Sequence, residues 1–268
     1  MAIIRTDHWL RQYVDQKNYS LSAQRKLICN PLISYFKDAS VFEVHEHLLS
    51  HGLFPPLPTL NEIDQLEKNN VWGFLQKEFS ILRSEWKGPD VPLFIFPSNM
   101  QNRSLKEEFN GKTGLSYKDK IFLFISAKNS YDELKALLTH EYNHTCRLNI
   151  LKVDDLNFLQ TIILEGLAEN AVEERIGKKY LAPWTSVYTR EQAIKLWYKY
   201  LRNNANMKAS SPKFQHLLFG TKFYPKYLGY NVGYHITKSY CEKFNPSSAK
   251  TLLTTSAESI LKGSDFNS

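Results

Sequence analysis

The chain has 268 residues, 43% hydrophobic and 23% charged, with a net charge of +7, a profile that fits one large soluble domain and excludes wholesale disorder or a fibrous architecture. Lys and Arg are interleaved with acids, as in KEEF and EERIGKK, so the positive charge reads as solvated surface and no nucleic-acid partner is expected. Cys29, Cys146 and Cys241 are too widely spaced for a disulfide framework, the opening MAIIRTDHWL holds no secretory apolar stretch, and no apolar run nears the roughly 18 residues that cross a bilayer, so a cytoplasmic protein with no membrane partner is expected.

Residues 1–88 read as an N-terminal helical region. LSAQRKLICNPLISYFKD, VFEVHEHLLSHGLF and LNEIDQLEKNNVWGFLQKEFSILRSEW all carry apolar residues at three- and four-residue intervals, and the prolines of LFPPLPTL (Pro55, Pro56 and Pro58) mark a junction. Gly88-Pro89-Asp90 marks the next, after which residues 89–268 read as a catalytic domain, the two regions packed as one compact unit. There the period shortens: Val91–Phe96 and Ile121–Ser126 are β-rich, Gly114–Tyr117 is a weaker strand between them, and a small, mainly antiparallel sheet is expected. Ser130 and Glu133 have capping-box spacing and open a helix reaching toward residue 148; a second helix runs from about Leu156 to Ile176, closed by Gly177. More helix is predicted from Arg190 to Arg202, then a loop at NNANMKASSP, a helix at GYNVGYHITKSYCEKF and a last one from Ser248 to Leu261. The fold class is α+β, mostly helical.

The chemistry concentrates in His140-Glu141-Tyr142-Asn143-His144. Residues four apart share a helical face, so both imidazoles can meet one ion, and Glu141 stands beside it as a general base for a water molecule. A third ligand is at hand in Glu165-Gly166-Leu167-Ala168-Glu169, far enough on for the chain to reverse and return. His-His-Glu is a recurrent zinc set that leaves one position open, so His140, His144 and Glu165 are the expected ligands of one catalytic Zn2+. Glu169, one turn beyond Glu165, is expected to accept the free imidazole N–H of a ligand, and the small Gly166 and Ala168 to let the two metal-bearing helices approach.

HEYNH followed by EGLAE resembles the gluzincin metallopeptidases, and the whole chain resembles the bacterial YjaZ-like family of predicted zinc-dependent proteases, most specifically over residues 130–175. The resemblance implies a zincin-like fold, peptide-bond hydrolysis, His140, His144 and Glu165 as ligands, Glu141 as base and Glu169 behind the ligands. The step from His144 to Glu165 is longer than in the best-known gluzincins, so Glu165 and Glu169 both stay open as the third ligand. Such enzymes also need a donor to the oxyanion, and similar ones use Tyr or His. Tyr234 is the first choice, His235 the second, and Tyr230 shares the face of Tyr234, with Gly229 and Gly233 beneath them permitting close backbone approach. The substrate is a peptide or protein, held extended along a sheet edge for which Gly114–Tyr117 is the candidate. The alternative is a metal-binding regulatory or interaction protein on the same fold with little or no general protease activity. His47 and His51 also have i, i+4 spacing, but no acid follows His47 and they read as part of an ordinary amphipathic helix.

Overall fold

Among the described residues, helical spacing in the first third of the chain becomes five α-helices: α1 (Thr6–Asp15), α2 (Leu21–Gln24), α3 (Val41–Ser50), α4 (Leu60–Lys68) and α5 (Val71–Trp86). The structure is a computed structural model and describes residues 3–17, 19–56, 60–151, 156–245 and 249–267; Pro58, Pro246 and Ser248 lie outside them. The run after α2 does not stay α-helical. Pro31 has no N–H to donate, and the chain passes through a π-turn (Arg25–Cys29) into a 3-10 segment (Asn30–Tyr35). The long run after the proline junction is likewise two helices, because Asn70 turns left-handed (φ 48) between α4 and α5, a conformation Asn tolerates better than most residues.

Compactness divides the chain into Met1–Thr145 and Cys146–Ser268. In the first unit the period shortens after residue 90, and strands β1 (Leu93–Pro97), β2 (Thr113–Ser116) and β3 (Ile121–Ile125) form, with the short helix α6 (Arg103–Glu108) between β1 and β2. The sheet order is β1-β3-β2. β1 runs parallel to β3, from Leu93↔Ile121 to Pro97↔Ile125, while β2 runs antiparallel to it, from Thr113↔Phe124 to Ser116↔Ile121. The sheet is therefore mixed rather than mainly antiparallel. The segment holding α6 and β2 carries the chain back across the sheet, the kind of crossover a parallel pair requires. β1 and β3 are buried along their whole length, as strands covered on both faces are. Phe94 stacks on Phe122 (centroids 4.8 Å), and Trp9 of α1 covers Phe94 and Phe96. β2 is the half-buried edge.

Helix α7 (Tyr131–Leu151) leaves the sheet, and the division between the units falls inside it. The second unit is helical: α8 (Phe158–Arg175), α9 (Arg190–Leu196), α10 (Pro212–Phe219), α11 (Leu228–Phe244), α12 (Ala249–Thr254) and α13 (Ala257–Gly263). Its core gathers Phe158, Ile162, Trp197, Phe214, Val232 and Ile236. α8 and α11 meet backbone to backbone at glycines: a Cβ on Gly233 would stand 2.0 Å from the Ile162 carbonyl oxygen, and one on Gly166 would stand 2.3 Å from that of Gly233. Gly177, at φ 109, ends α8 as its sequence position suggested. Among the described residues no helix is long and apolar enough to cross a membrane.

Candidate metal centre

α7 is anchored at its start. Glu133 Oε2 accepts from the Ser130 backbone N–H (2.9 Å), and the Glu133 N–H donates back to Ser130 Oγ (3.3 Å), closing the expected capping box. Asn110 and Lys112 also donate to Glu133 (2.7 and 3.2 Å). Burial pushes the Glu133 carboxyl up, but these hydrogen bonds and the Lys112 charge outweigh it and bring its pKa down to about 2. Further along, Tyr142 fixes the side of the helix turned into the first unit's core. Its ring stacks on Trp86 at 9° and meets Phe79 edge-on, while its hydroxyl donates to the Pro89 carbonyl (3.0 Å). Two positions to either side, on the opposite face, are His140 and His144, with ring centroids 4.5 Å apart.

One ligand atom each from His140, His144 and Glu165 of α8 lies within 4.8 Å of the others. His144 is buried, and the other two are half-buried. Zinc bonds of about 2.0–2.2 Å in a tetrahedron set donors roughly 3.3–3.6 Å apart, within small side-chain rotations of this spacing. Two imidazoles and a carboxylate are also the donor types that suit zinc, so the residues present fit the ion. Glu169 is buried, and its Oε2 accepts the Ala182 N–H at 2.7 Å, tying α8 to the segment that follows it. Gly166 has a different neighbour from the one expected. Its open side meets Gly233 and Thr237 of α11, so its small size serves α8–α11 packing.

Glu141, 5% exposed, turns toward the sheet. Ser116 Oγ lies 2.6 Å from Glu141 Oε2 and 2.9 Å from its backbone oxygen. Gly114, on the same face of β2, leaves the space the carboxylate fills: a Cβ there would stand 2.3 Å from Glu141 Cδ and 2.4 Å from Oε1. From sequence both belonged only to the candidate substrate edge Gly114–Tyr117 and neither was read as a partner of Glu141, although the two-residue alternation within the predicted strand puts them side by side. Thr145 Oγ1 donates to the Tyr117 carbonyl (2.9 Å), fastening α7 to the end of the same strand.

On α11, the Tyr234 hydroxyl donates to Glu173 Oε2 (3.2 Å), and Lys238 Nζ donates to Glu173 Oε1 (2.8 Å). Burial, and then the Glu173 charge, push the Tyr234 pKa above the ordinary phenol value, so it remains a proton donor. Glu173 was also missed from sequence, though its spacing of four from Glu169 and eight from Glu165 along one helical face was a visible signal. His235 Nε2 bonds the Tyr188 carbonyl (2.9 Å), which makes it the protonated nitrogen, and burial lowers the ring's pKa. Tyr230 sits among Trp184, Phe219 and Tyr227. His47 Nε2 of α3 bonds the Tyr117 hydroxyl (2.5 Å), and His51 Nδ1, just past the helix end, bonds the His47 carbonyl (2.7 Å).

Residues 71–262 match the protein family described as "Predicted Zn-dependent protease (DUF2268)". The chain is also 38% identical over 255 residues to "Uncharacterized protein YjaZ" of Bacillus subtilis (strain 168), covering 94% of this chain and 95% of the relative. No solved structure matches.

Proposed function

The chain belongs to this family of predicted zinc-dependent proteases, and from that premise we propose that it is a zinc-dependent peptidase of the gluzincin type on a zincin-like fold. The observation that carries the reading is the convergence of His140, His144 and Glu165 donor atoms within 4.8 Å, on helices whose sequence also supplies Glu141. Zinc, when bound, supplies a Lewis acid that polarises a carbonyl and brings the pKa of a water molecule toward about 7. The chain's own residues do the rest. Glu141 takes the proton of the attacking water at its carboxylate and passes it to the leaving amine. Tyr234, kept protonated by its surroundings, is the donor to the oxygen that gains charge; His235 and Tyr230 on the same helix are the other candidates. Glu169 steadies the ligand helix from its bond to Ala182 and is the candidate to orient a ligand imidazole. The substrate is a peptide or protein lying extended along β2, whose edge position leaves backbone groups for pairing.

The test is metal analysis and hydrolysis of a peptide panel by the purified protein. One zinc per chain is expected, lost in H144A. E141Q should keep the zinc and lose about 10²- to 10⁴-fold in kcat. Undiminished turnover in E141Q would refute the reading, and zinc binding without cleavage of any peptide would favour a regulatory or binding protein.

A further inference from the structure

Glu141 does not stand alone on its helix. It is buried against β2, where two residues on one strand face receive it: Ser116 with a hydroxyl and Gly114 with an absence of side chain. A hydroxyl has one proton to give. At 2.6 Å its separation from the carboxylate Oε2 falls in the range of charge-assisted hydrogen bonds, while the 2.9 Å to the backbone oxygen is ordinary. A backbone carbonyl of α7 already has a helical partner in the usual pattern, so the carboxylate is the acceptor that gains more from the proton.

The Gly114 contact is specific in another way. The three atoms nearest to its absent Cβ all belong to the Glu141 side chain: Cδ, Cγ and Oε1. A glycine in a strand weakens it and often marks a close approach, so the glycine needs a reason. The reason on view is the carboxylate seated over it.

We propose that Ser116 and Gly114 form a cradle on the edge strand that positions the Glu141 carboxylate for proton transfer. The proposal rests on the reading of Glu141 as the general base. Ser116 holds Oε2, which fixes the plane of the carboxylate; Gly114 sets how close to β2 it lies. Because β2 is also the edge along which an extended substrate would pair, base and substrate share one element, and their separation is set by one strand rather than by the docking of two. Ser116 and Gly114 are positioning residues, acting only through Glu141.

The experiment uses full-length wild type, S116A, S116T, G114A and E141Q, all zinc-loaded, with zinc content, kcat and KM on one peptide, and crystal structures of metal-free wild type, S116A and G114A. Zinc content should equal wild type in every variant. S116A should lose about 10- to 100-fold in kcat, the span of one lost hydrogen bond to a charged group, with KM within about twofold. S116T, which restores the hydroxyl on a β-favouring residue, should recover to within about fivefold of wild type. G114A should approach E141Q. In its metal-free crystals Glu141 Cδ should have moved by about 1 Å or more, since a 2.3 Å contact must open to at least the 3.4 Å of ordinary packing, while the α7 backbone stays put. Wild-type kcat in S116A, no recovery in S116T, or a G114A crystal with Glu141 in place and β2 displaced would overturn the cradle. Wild-type turnover in E141Q would instead remove the general-base reading, and the crystal comparison would still decide whether the cradle seats the side chain.

Discussion

Gly233→Ala should destabilise the protein through a single steric event. The added Cβ would stand 2.0 Å from the Ile162 carbonyl oxygen and 2.6 Å from its carbonyl carbon. Both are backbone atoms, which cannot rotate away as a side-chain end can. Restoring ordinary contact at 3.4 Å requires α8 and α11 to part by 1.4 Å, the difference between 3.4 and 2.0. That motion loosens a seam in which Ile162, Val232 and Ile236 are fully buried. Overpacking of this kind costs about 1–3 kcal/mol, and a backbone clash belongs at the upper end. Alanine returns about 1 kcal/mol of helix propensity, which leaves a net loss of about 2 kcal/mol. With a urea dependence of about 1–3 kcal/mol per molar, the unfolding midpoint followed by far-UV circular dichroism should fall by roughly 1 M. Gly73→Ala is the matched control. The three atoms nearest to that Cβ all belong to the Asn70 side chain, with Oδ1 at 2.5 Å, and this end can swing aside, so the variant should be as stable as wild type or slightly more. A Gly233→Ala midpoint at or above wild type would refute the argument that these glycines exist for close backbone approach.

Glu133→Gln should cost about 1–2 kcal/mol at neutral pH by weakening the cap of α7, measured by urea unfolding. The wild-type carboxylate has its pKa lowered to about 2 from 4.5, so its stabilisation is complete above 4.5 and is lost as pH falls toward 2. The gap between variant and wild type should therefore close over that window; a pH-independent gap would contradict the assignment. Tyr234→Phe should lower kcat by about 10²-fold with KM little changed if the phenol serves the oxyanion, whereas an effect confined to thermal stability would restrict it to bracing Glu173. Chelation of a zinc-loaded sample should lower its melting temperature by several degrees, and H144A should not respond, since an ion bound to the folded chain alone stabilises by mass action.

Much of the candidate site was legible because it is written in local chain geometry. The i, i+4 imidazoles, the Ser130–Glu133 box and the Gly177 stop are relations within one helix, and each needs only helical spacing to be read. The choice between Glu165 and Glu169 was not of this kind. Both lie on the same face one turn apart, and in the structure Glu165 joins the histidine donors while Glu169 receives the Ala182 N–H. The short helices α6 and α10 escaped notice because neither spans enough turns to display a period.

What the amino-acid order determined by itself was therefore the longer helices, the Ser130–Glu133 cap, the β-rich segments and the candidate ligand types, since these follow from interactions among residues a few positions apart. Only the tertiary structure decided that β3 lies between β1 and β2, that Gly114 and Ser116 receive Glu141, that Gly166 faces α11 and that Tyr234 reaches Glu173. Those are pairings between distant segments. Many partners satisfy the same local pattern, and the one realised is selected by how all the apolar faces can be buried at once.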